Sequence, residues 1–220
     1  MTADNPFISI TFNENDIVVD RINEKVDLQM GISRILLSGG VIVLKGKPGV
    51  GKSTLVGVIL KDLKKSSKIE VIREDFTPAV YNMIRKMNLR GQKKKLMILD
   101  DFNNLELVDK GSQEKMTDLI YSISSELSIV LIENRDSGVE KDFKRLGRRF
   151  DEMELGGLSK EDLKRVIINR LNSVRKKRSD SIEPFTEDEY QKIYKKSEGN
   201  PRIALLICSA MYDQKSAKIV

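Results

Sequence analysis

Residues 46–54 read Gly46-Lys47-Pro48-Gly49-Val50-Gly51-Lys52-Ser53-Thr54 and match the pattern GxxxxGK[ST]. They follow the apolar run 41–44, a predicted strand, and precede the helical pattern 55–63. A glycine-rich loop in this context binds phosphate, because glycines let backbone N–H groups turn inward and the helix directs its positive end at the same point. Lys52 then contacts the terminal phosphates, and the Ser53 hydroxyl is a Mg²⁺ ligand. The loop therefore predicts binding of a nucleoside triphosphate with Mg²⁺.

The composition limits the chemistry that the chain can perform. With 40% hydrophobic and 33% charged residues, the 220-residue chain has the composition of a globular protein. No apolar run approaches the roughly 20 residues that span a bilayer, and the N-terminus has no export features, so we expect a cytoplasmic protein without a membrane span. The chain has no histidine, which excludes histidine-based catalysis and metal sites, and its single cysteine, Cys208, excludes an internal disulfide. Catalysis must use carboxylates, lysine, arginine and Mg²⁺.

Strands and helices alternate through the first part of the chain, which predicts a doubly wound α/β domain. Unbroken apolar runs indicate parallel strands buried on both faces. Beyond the first, strands are predicted at 68–72, 96–99, 128–132 and 153–155. Helices are predicted at 21–37, 77–87, 105–127 and 139–146. After Gly156-Gly157 only helices are predicted, at 159–175, 186–196 and 200–212, so we divide the chain into an α/β domain, 1–157, and a helical domain, 158–220.

Polar residues at two strand ends are the next candidates for the site. Asp100 and Asp101 follow the third strand and Asn134 follows the fourth, and ligands of open parallel sheets lie beyond the carboxyl ends of strands. Asp100 is predicted to hold Mg²⁺ directly or through water, and Asp101 to orient or deprotonate the attacking water. Asn134 is predicted to hydrogen-bond that water or the terminal phosphate. The alternative is that these residues only form turns.

Arginines complete the predicted site. Asn200 and Pro201 suit a helix start, which places Arg202 in the first helical turn, where a cation opposes the helix dipole unless an anion lies near. The bound phosphate is that anion; the alternative is a solvated arginine. Arg145, Arg148 and Arg149 precede the last strand, and we favour Arg149, with Arg148 close behind, as an arginine finger that reaches the nucleotide of a neighbouring subunit. The alternative is a basic surface turn.

Together, the phosphate loop, the Asp100-Asp101 strand, the Asn134 strand, these arginines and Gly199-Asn200-Pro201-Arg202 resemble an AAA+ ATPase over residues 20–212. The resemblance implies a five-stranded parallel sheet of order 5-1-4-3-2 with a small helical lid, ATP and Mg²⁺ as cofactors, and a homo-oligomeric or hetero-oligomeric ring or filament. The Asp-Asp pair is similar to that of replication initiators, helicase loaders and transposition helpers. Residues 199–202 resemble the sensor-2 motif of branch-migration motors and of the secretion and transposition ATPases, which also share Asn5-Pro6-Phe7. Many other members have glutamate where this chain has Asp101, which implies slower hydrolysis.

Three functions remain open at this point. Basic clusters could neutralise DNA phosphates, and our leading hypothesis is an ATP-dependent DNA transaction in replication, transposition or recombination, driven by ATP-dependent self-assembly. The clusters are Lys64-Lys65 with Lys68, Arg90 with Lys93-Lys94-Lys95, and Arg175-Lys176-Lys177-Arg178. The second hypothesis is a STAND-type signalling or scaffold switch without DNA binding. The third is a small-molecule kinase, against which the lack of a recognisable acceptor site and the presence of Asn134 and Arg202 count.

Overall fold

The computed structural model describes residues 5–8, 21–63, 68–89, 93–134 and 138–216. These residues form two compact units. The first contains the described residues of 1–21, 49–54 and 156–220, and the second contains those of 22–48 and 55–155. The division predicted from the sequence, 1–157 and 158–220, stays a prediction. No helix in the described part of the chain is long and apolar enough to cross a membrane.

A five-stranded parallel sheet is the centre of the second unit. Its strands are β1 (Gly40–Lys45), β2 (Ile69–Asp75), β3 (Lys94–Asp100), β4 (Ser128–Glu133) and β5 (Phe150–Glu154). They are ordered β2-β3-β4-β1-β5, which confirms the predicted order 5-1-4-3-2 read from the opposite edge. Every residue of β1 and β4 is buried, as expected for apolar strands covered on both faces.

Helices of the second unit cover this sheet. They are α1 (Ile22–Ser38), the part of α2 (Lys52–Leu63) from Leu55 onward, α3 (Pro78–Arg85) and α4 (Lys110–Ile123). The single helical region predicted at 105–127 is wrong: a 3-10 helix, Phe102–Leu107, precedes α4. The Asp109 side chain accepts a hydrogen bond from the Ser112 amide and so begins a new helix. The helix predicted at 139–146 is a 3-10 segment, Val139–Arg149, interrupted at Gly147.

The first unit contains the helices α5 (Lys160–Asn172), α6 (Glu187–Ser197) and α7 (Pro201–Ser216). Its core holds Phe7, whose side chain is fully buried and whose ring lies 5.8 Å from that of Phe185 and 5.9 Å from that of Tyr212. The Asn5 amide group donates to the Ser209 carbonyl (3.1 Å) and to an Asp213 carboxylate oxygen (2.8 Å), both on α7. These contacts give Asn5-Pro6-Phe7 a structural role.

Cys208 also lies in this core. Burial raises the pKa of its thiol to about 12, so the side chain behaves as a small hydrophobic residue.

Candidate functional site

The glycine-rich loop lies where the sequence predicts, between the end of β1 and the first residue of α2. Gly49 and Gly51 have φ of +86° and +106°, a region that side chains with a Cβ rarely adopt. The loop residues differ in exposure: Gly46, Val50 and Lys52 are buried, Gly49, Gly51, Ser53 and Thr54 are half-buried, and Lys47 and Pro48 are exposed. Lys52 and Ser53 are the first two residues of α2. The lysine and the hydroxyl predicted to bind phosphate and Mg²⁺ therefore both lie at the positive end of this helix.

Within the first unit, the start of α7 packs directly against this loop. A Cβ built on Gly49 would lie 2.6 Å from Arg202 Cβ and 2.9 Å from Asn200 Oδ1. Asn200 Oδ1 also accepts hydrogen bonds from the Arg202 amide (3.1 Å) and the Ile203 amide (3.3 Å), which caps α7. The predicted helix start at Asn200-Pro201 is thus present, and Arg202 lies beside the loop with its side chain exposed.

Arg21 is a further contact of the loop that sequence analysis missed. One of its guanidinium nitrogens, Nη2, donates to the Val50 carbonyl (3.2 Å) and to the Gly156 carbonyl (2.8 Å). Arg21 thereby links the loop to Gly156, just before the helical part of the chain. No pattern in the sequence singles out this arginine, because it precedes α1 without belonging to a motif.

Asp100 ends β3 with its side chain only 10% exposed. Its Oδ2 accepts a hydrogen bond from Arg73 Nη2 at 2.8 Å, and its Oδ1 accepts one from the Asp101 amide at 3.1 Å. Arg73 was not predicted as a site residue, since a single arginine in a mixed-charge strand has no distinguishing pattern. The carboxylate predicted to hold Mg²⁺ is therefore already paired with a cation.

Asp101 has an unusual backbone conformation. Its φ of 51° and ψ of 36° are left-handed, which aspartate tolerates better than most residues. Although it precedes the 3-10 helix Phe102–Leu107, its side chain makes no capping hydrogen bond. The residue is exposed, so its carboxylate is accessible at the end of β3, where the sequence predicts a general base.

Asn134 follows β4 and is half-buried. Lys45 of β1 is in register with Glu133, and Leu99 of β3 is in register with Leu131. Extending the first register by one residue places Asn134 level with Gly46. Extending the second by two residues places Asp101 level with Glu133, so Asn134 lies one residue beyond it. Three predicted positions of the second unit therefore meet at the carboxyl edge of the sheet.

The arginines before β5 lie at the opposite end of the strands from Asp100 and Asn134. Phe150 is in register with Val41 near the start of β1, so Arg148 and Arg149 are at the amino ends of the strands. Both are exposed. Arg145 is engaged locally: its guanidinium pairs with Asp118 at 2.8 Å and lies 4.4 Å from the centre of the Tyr121 ring. Arg148 and Arg149 are thus not brought together with Asp100 or Asn134.

Comparison with known families decides the classification. The profile of nSTAND3, described as novel STAND NTPase 3, matches residues 31–179, which is well over half of the chain. The chain belongs to the nSTAND3 family. The match contains the phosphate loop, Asp100 and Asn134, whereas residues 199–202 lie beyond it. A search of curated proteins finds no similar sequence.

Several solved structures have a fold similar to that of this nSTAND3 chain. Two structures of Thermotoga maritima RuvB variants share 19% identity with it at TM-scores of 0.59, each covering 92% of this chain. The chain spans 65% and 66% of the length of those two chains. A chain of the HORMA:CdnC:Trip13 complex of E. coli MS115-1 shares 11% identity at a TM-score of 0.55, covering 90% of this chain and 89% of that one. At these identities the similarity shows the fold. The chain is therefore an NTPase by family, and its fold is of the AAA+ P-loop type; the finer groups suggested by its motifs stay predictions.

Proposed function

We propose that the protein is an ATP-binding and slowly ATP-hydrolysing switch whose nucleotide state controls its association with protein partners, including further copies of itself. The observation that carries this proposal is the intact glycine-rich loop, 46–54, within the nSTAND3 match. That match favours the switch among the three functions considered from the sequence.

The loop and α7 supply the phosphate contacts in this proposal. The backbone amides of the loop surround the phosphates, and the Lys52 ammonium neutralises the terminal ones. Arg202, which packs against Gly49, adds a second cation. A phosphate there compensates the unfavourable position of Arg202 in the first turn of α7. Loss of the terminal phosphate would remove one attraction that holds α7 to the loop, and this is how nucleotide state would be sensed.

The residues proposed for Mg²⁺ fit that ion. A hydroxyl from Ser53 and a carboxylate from Asp100 are hard oxygen donors, and Mg²⁺ is typically bound by one or two such groups together with phosphate oxygens. When bound, the ion neutralises charge on the phosphates. Asp101 accepts a proton from the attacking water, and Asn134 orients that water by a hydrogen bond. Because aspartate is one methylene shorter than glutamate, slow hydrolysis is expected, as suits a switch.

A DNA transaction is the second candidate, favoured by the exposed run Lys176-Lys177-Arg178. The other cationic clusters give it less support. Arg175 donates to the carbonyls of Ser179, Ser181 and Glu183 and so has a structural role in its loop. Lys95 pairs with Glu70 at 2.8 Å. Lys64, Lys65 and Arg90 lie outside the described residues.

Binding of a fluorescent ATP analogue to the purified chain tests the core of the proposal. We expect Lys52→Ala to weaken binding about 10- to 100-fold, the loss of one charge-assisted contact. Lys61→Ala, an exposed lysine on the same helix, should bind as the wild type does. Equal binding by the wild type and Lys52→Ala, or none by the wild type, would contradict the proposal.

Light scattering of the chain with ATP, ADP or no nucleotide then tests the switch, with and without duplex DNA. A change of mass between ATP and ADP in the absence of DNA supports nucleotide-controlled association. Assembly and hydrolysis that occur only with DNA, and weaken steeply as salt is raised, would replace the switch by the DNA transaction.

A further inference from the structure

The ion pair between Arg73 and Asp100 occupies the carboxylate to which Mg²⁺ binding is assigned. Arg73 Nη2 lies 2.8 Å from Asp100 Oδ2, and the two side chains are 37% and 10% exposed. The other carboxylate oxygen accepts the Asp101 amide at 3.1 Å. Both oxygens of Asp100 thus have protein partners, one of them positively charged.

The local structure delivers Arg73 to this place. Arg73 lies on the edge strand β2, opposite Ile98 of β3. Asp100 is two residues farther along β3. In parallel neighbouring strands, residues two apart share a face, so the long side chain runs along the sheet toward the carboxylate. Gly57 of α2 lies beside it: a Cβ there would make an ordinary van der Waals contact with Arg73 Nη1, at 3.9 Å. The guanidinium therefore extends past α2 at Gly57 to the end of β3.

We propose that Arg73 is a positioning residue that competes with Mg²⁺ for Asp100 and so makes nucleotide loading demand a higher Mg²⁺ concentration. This inference rests on the nucleotide-binding function proposed above. A guanidinium that pairs with the carboxylate both uses one of its oxygens and repels a second cation. Binding of a magnesium–nucleotide complex then requires Arg73 to release Oδ2, and loss of that complex lets Arg73 return. The pairing of Arg73 on β2 with Asp100 would therefore differ between the nucleotide-bound and the nucleotide-free protein.

Magnesium dependence of nucleotide binding tests this role directly. The measurement is the Mg²⁺ concentration that gives half of the maximal binding of a fluorescent ATP analogue, together with the affinity of the analogue in excess EDTA. We expect Arg73→Ala to lower the half-saturating Mg²⁺ concentration about tenfold, because a charge-assisted hydrogen bond to a partly exposed group is worth about a factor of ten in binding. Affinity in EDTA should stay within about twofold, since Arg73 is not assigned to the phosphates.

Two further variants keep the test decisive. Arg73→Gln retains a hydrogen-bond donor without the charge and should lower the magnesium requirement as Arg73→Ala does; it serves if the alanine variant does not fold. Arg34→Ala removes another arginine–aspartate pair of the same unit, with Asp151 at 2.7 Å, and should leave the requirement unchanged.

An unchanged or increased magnesium requirement in the Arg73 variants overturns the inference. Weaker binding in EDTA would instead assign Arg73 to the phosphates, which also overturns it. If the wild type binds no nucleotide, or if the Lys52→Ala variant binds it as tightly as the wild type, the proposed function has failed. This comparison is made before the Arg73 variants are measured.

Discussion

Gly49→Ala tests the packing of α7 against the phosphate loop. The φ of +86° at Gly49 places alanine in a strained conformation that costs about 1–3 kcal/mol. The new methyl group would also meet Arg202 Cβ at 2.6 Å and Asn200 Oδ1 at 2.9 Å. Asn200 cannot yield easily, because its Oδ1 caps α7 through two amides. Overlap of this kind adds about 1–3 kcal/mol, so we expect the free energy of unfolding to fall by about 2–6 kcal/mol in total.

Gly51→Ala is the matched control. Its φ of +106° carries the same class of backbone strain, but among the described residues, its chain neighbours aside, no atom lies within 4 Å of the added Cβ. It should therefore lose only the strain contribution, about 1–3 kcal/mol. Urea unfolding of both nucleotide-free variants isolates the contact with α7 as their difference, about 2 kcal/mol, which corresponds to about 4–8 °C in Tm for a chain of this length. Equal losses in the two variants would refute the contact.

Three further predictions concern the helical unit. Phe7→Ala should lower the free energy of unfolding by about 3–5 kcal/mol because a fully buried aromatic ring is removed, as urea unfolding would show. The hydrogen bond from Lys215 is the chief reason that the pKa of Glu189 lies below its ordinary value of 4.5. The ionised Glu189 therefore stabilises the fold above pH 4.5, and this contribution is lost as the pH falls through the folded-state pKa. Glu189→Gln should lessen the loss of stability measured across that pH range. Arg175→Ala should lower the melting temperature without changing DNA affinity, whereas an effect of Lys176→Ala on DNA affinity alone would favour the DNA candidate.

The sheet and the loop were predictable because their patterns are local. An unbroken apolar run such as 96–99 fits a strand buried on both faces and little else. The loop 46–54 combines glycines, lysine and a hydroxyl at fixed spacing between a strand and a helix. Asp100 and Asn134 followed from the rule that parallel strands end at a common edge. Each inference needed only neighbours in the sequence and one general property of the fold.

Contacts between distant parts of the chain were not predictable. Arg73 and Arg21 act through hydrogen bonds to residues 27, 29 and 135 positions away, and nothing near either arginine indicates them. The helical spacing of α1 was recognised, but spacing alone does not say which face packs. Leu28 and Ile32 are buried. The apolar stripe formed by Ile22, Val26 and Met30 is instead exposed, Met30 to 67%. Burial depends on where the sheet lies, and this the pattern does not contain.

The position of Arg149 limits how the predicted finger can act. Its carbonyl lies beside Gly40, where a Cβ would approach it to 2.5 Å, so its backbone is level with the start of β1. The loop begins at Gly46, six residues farther along the strand, which is about 20 Å at 3.3 Å per residue. One arginine side chain does not bridge that distance along a rigid sheet. If Arg149 or Arg148 contributes to hydrolysis, it must therefore do so on a second copy of the chain, and the turnover per molecule must rise with protein concentration. The switch and its catalysis would then depend on the same assembly step.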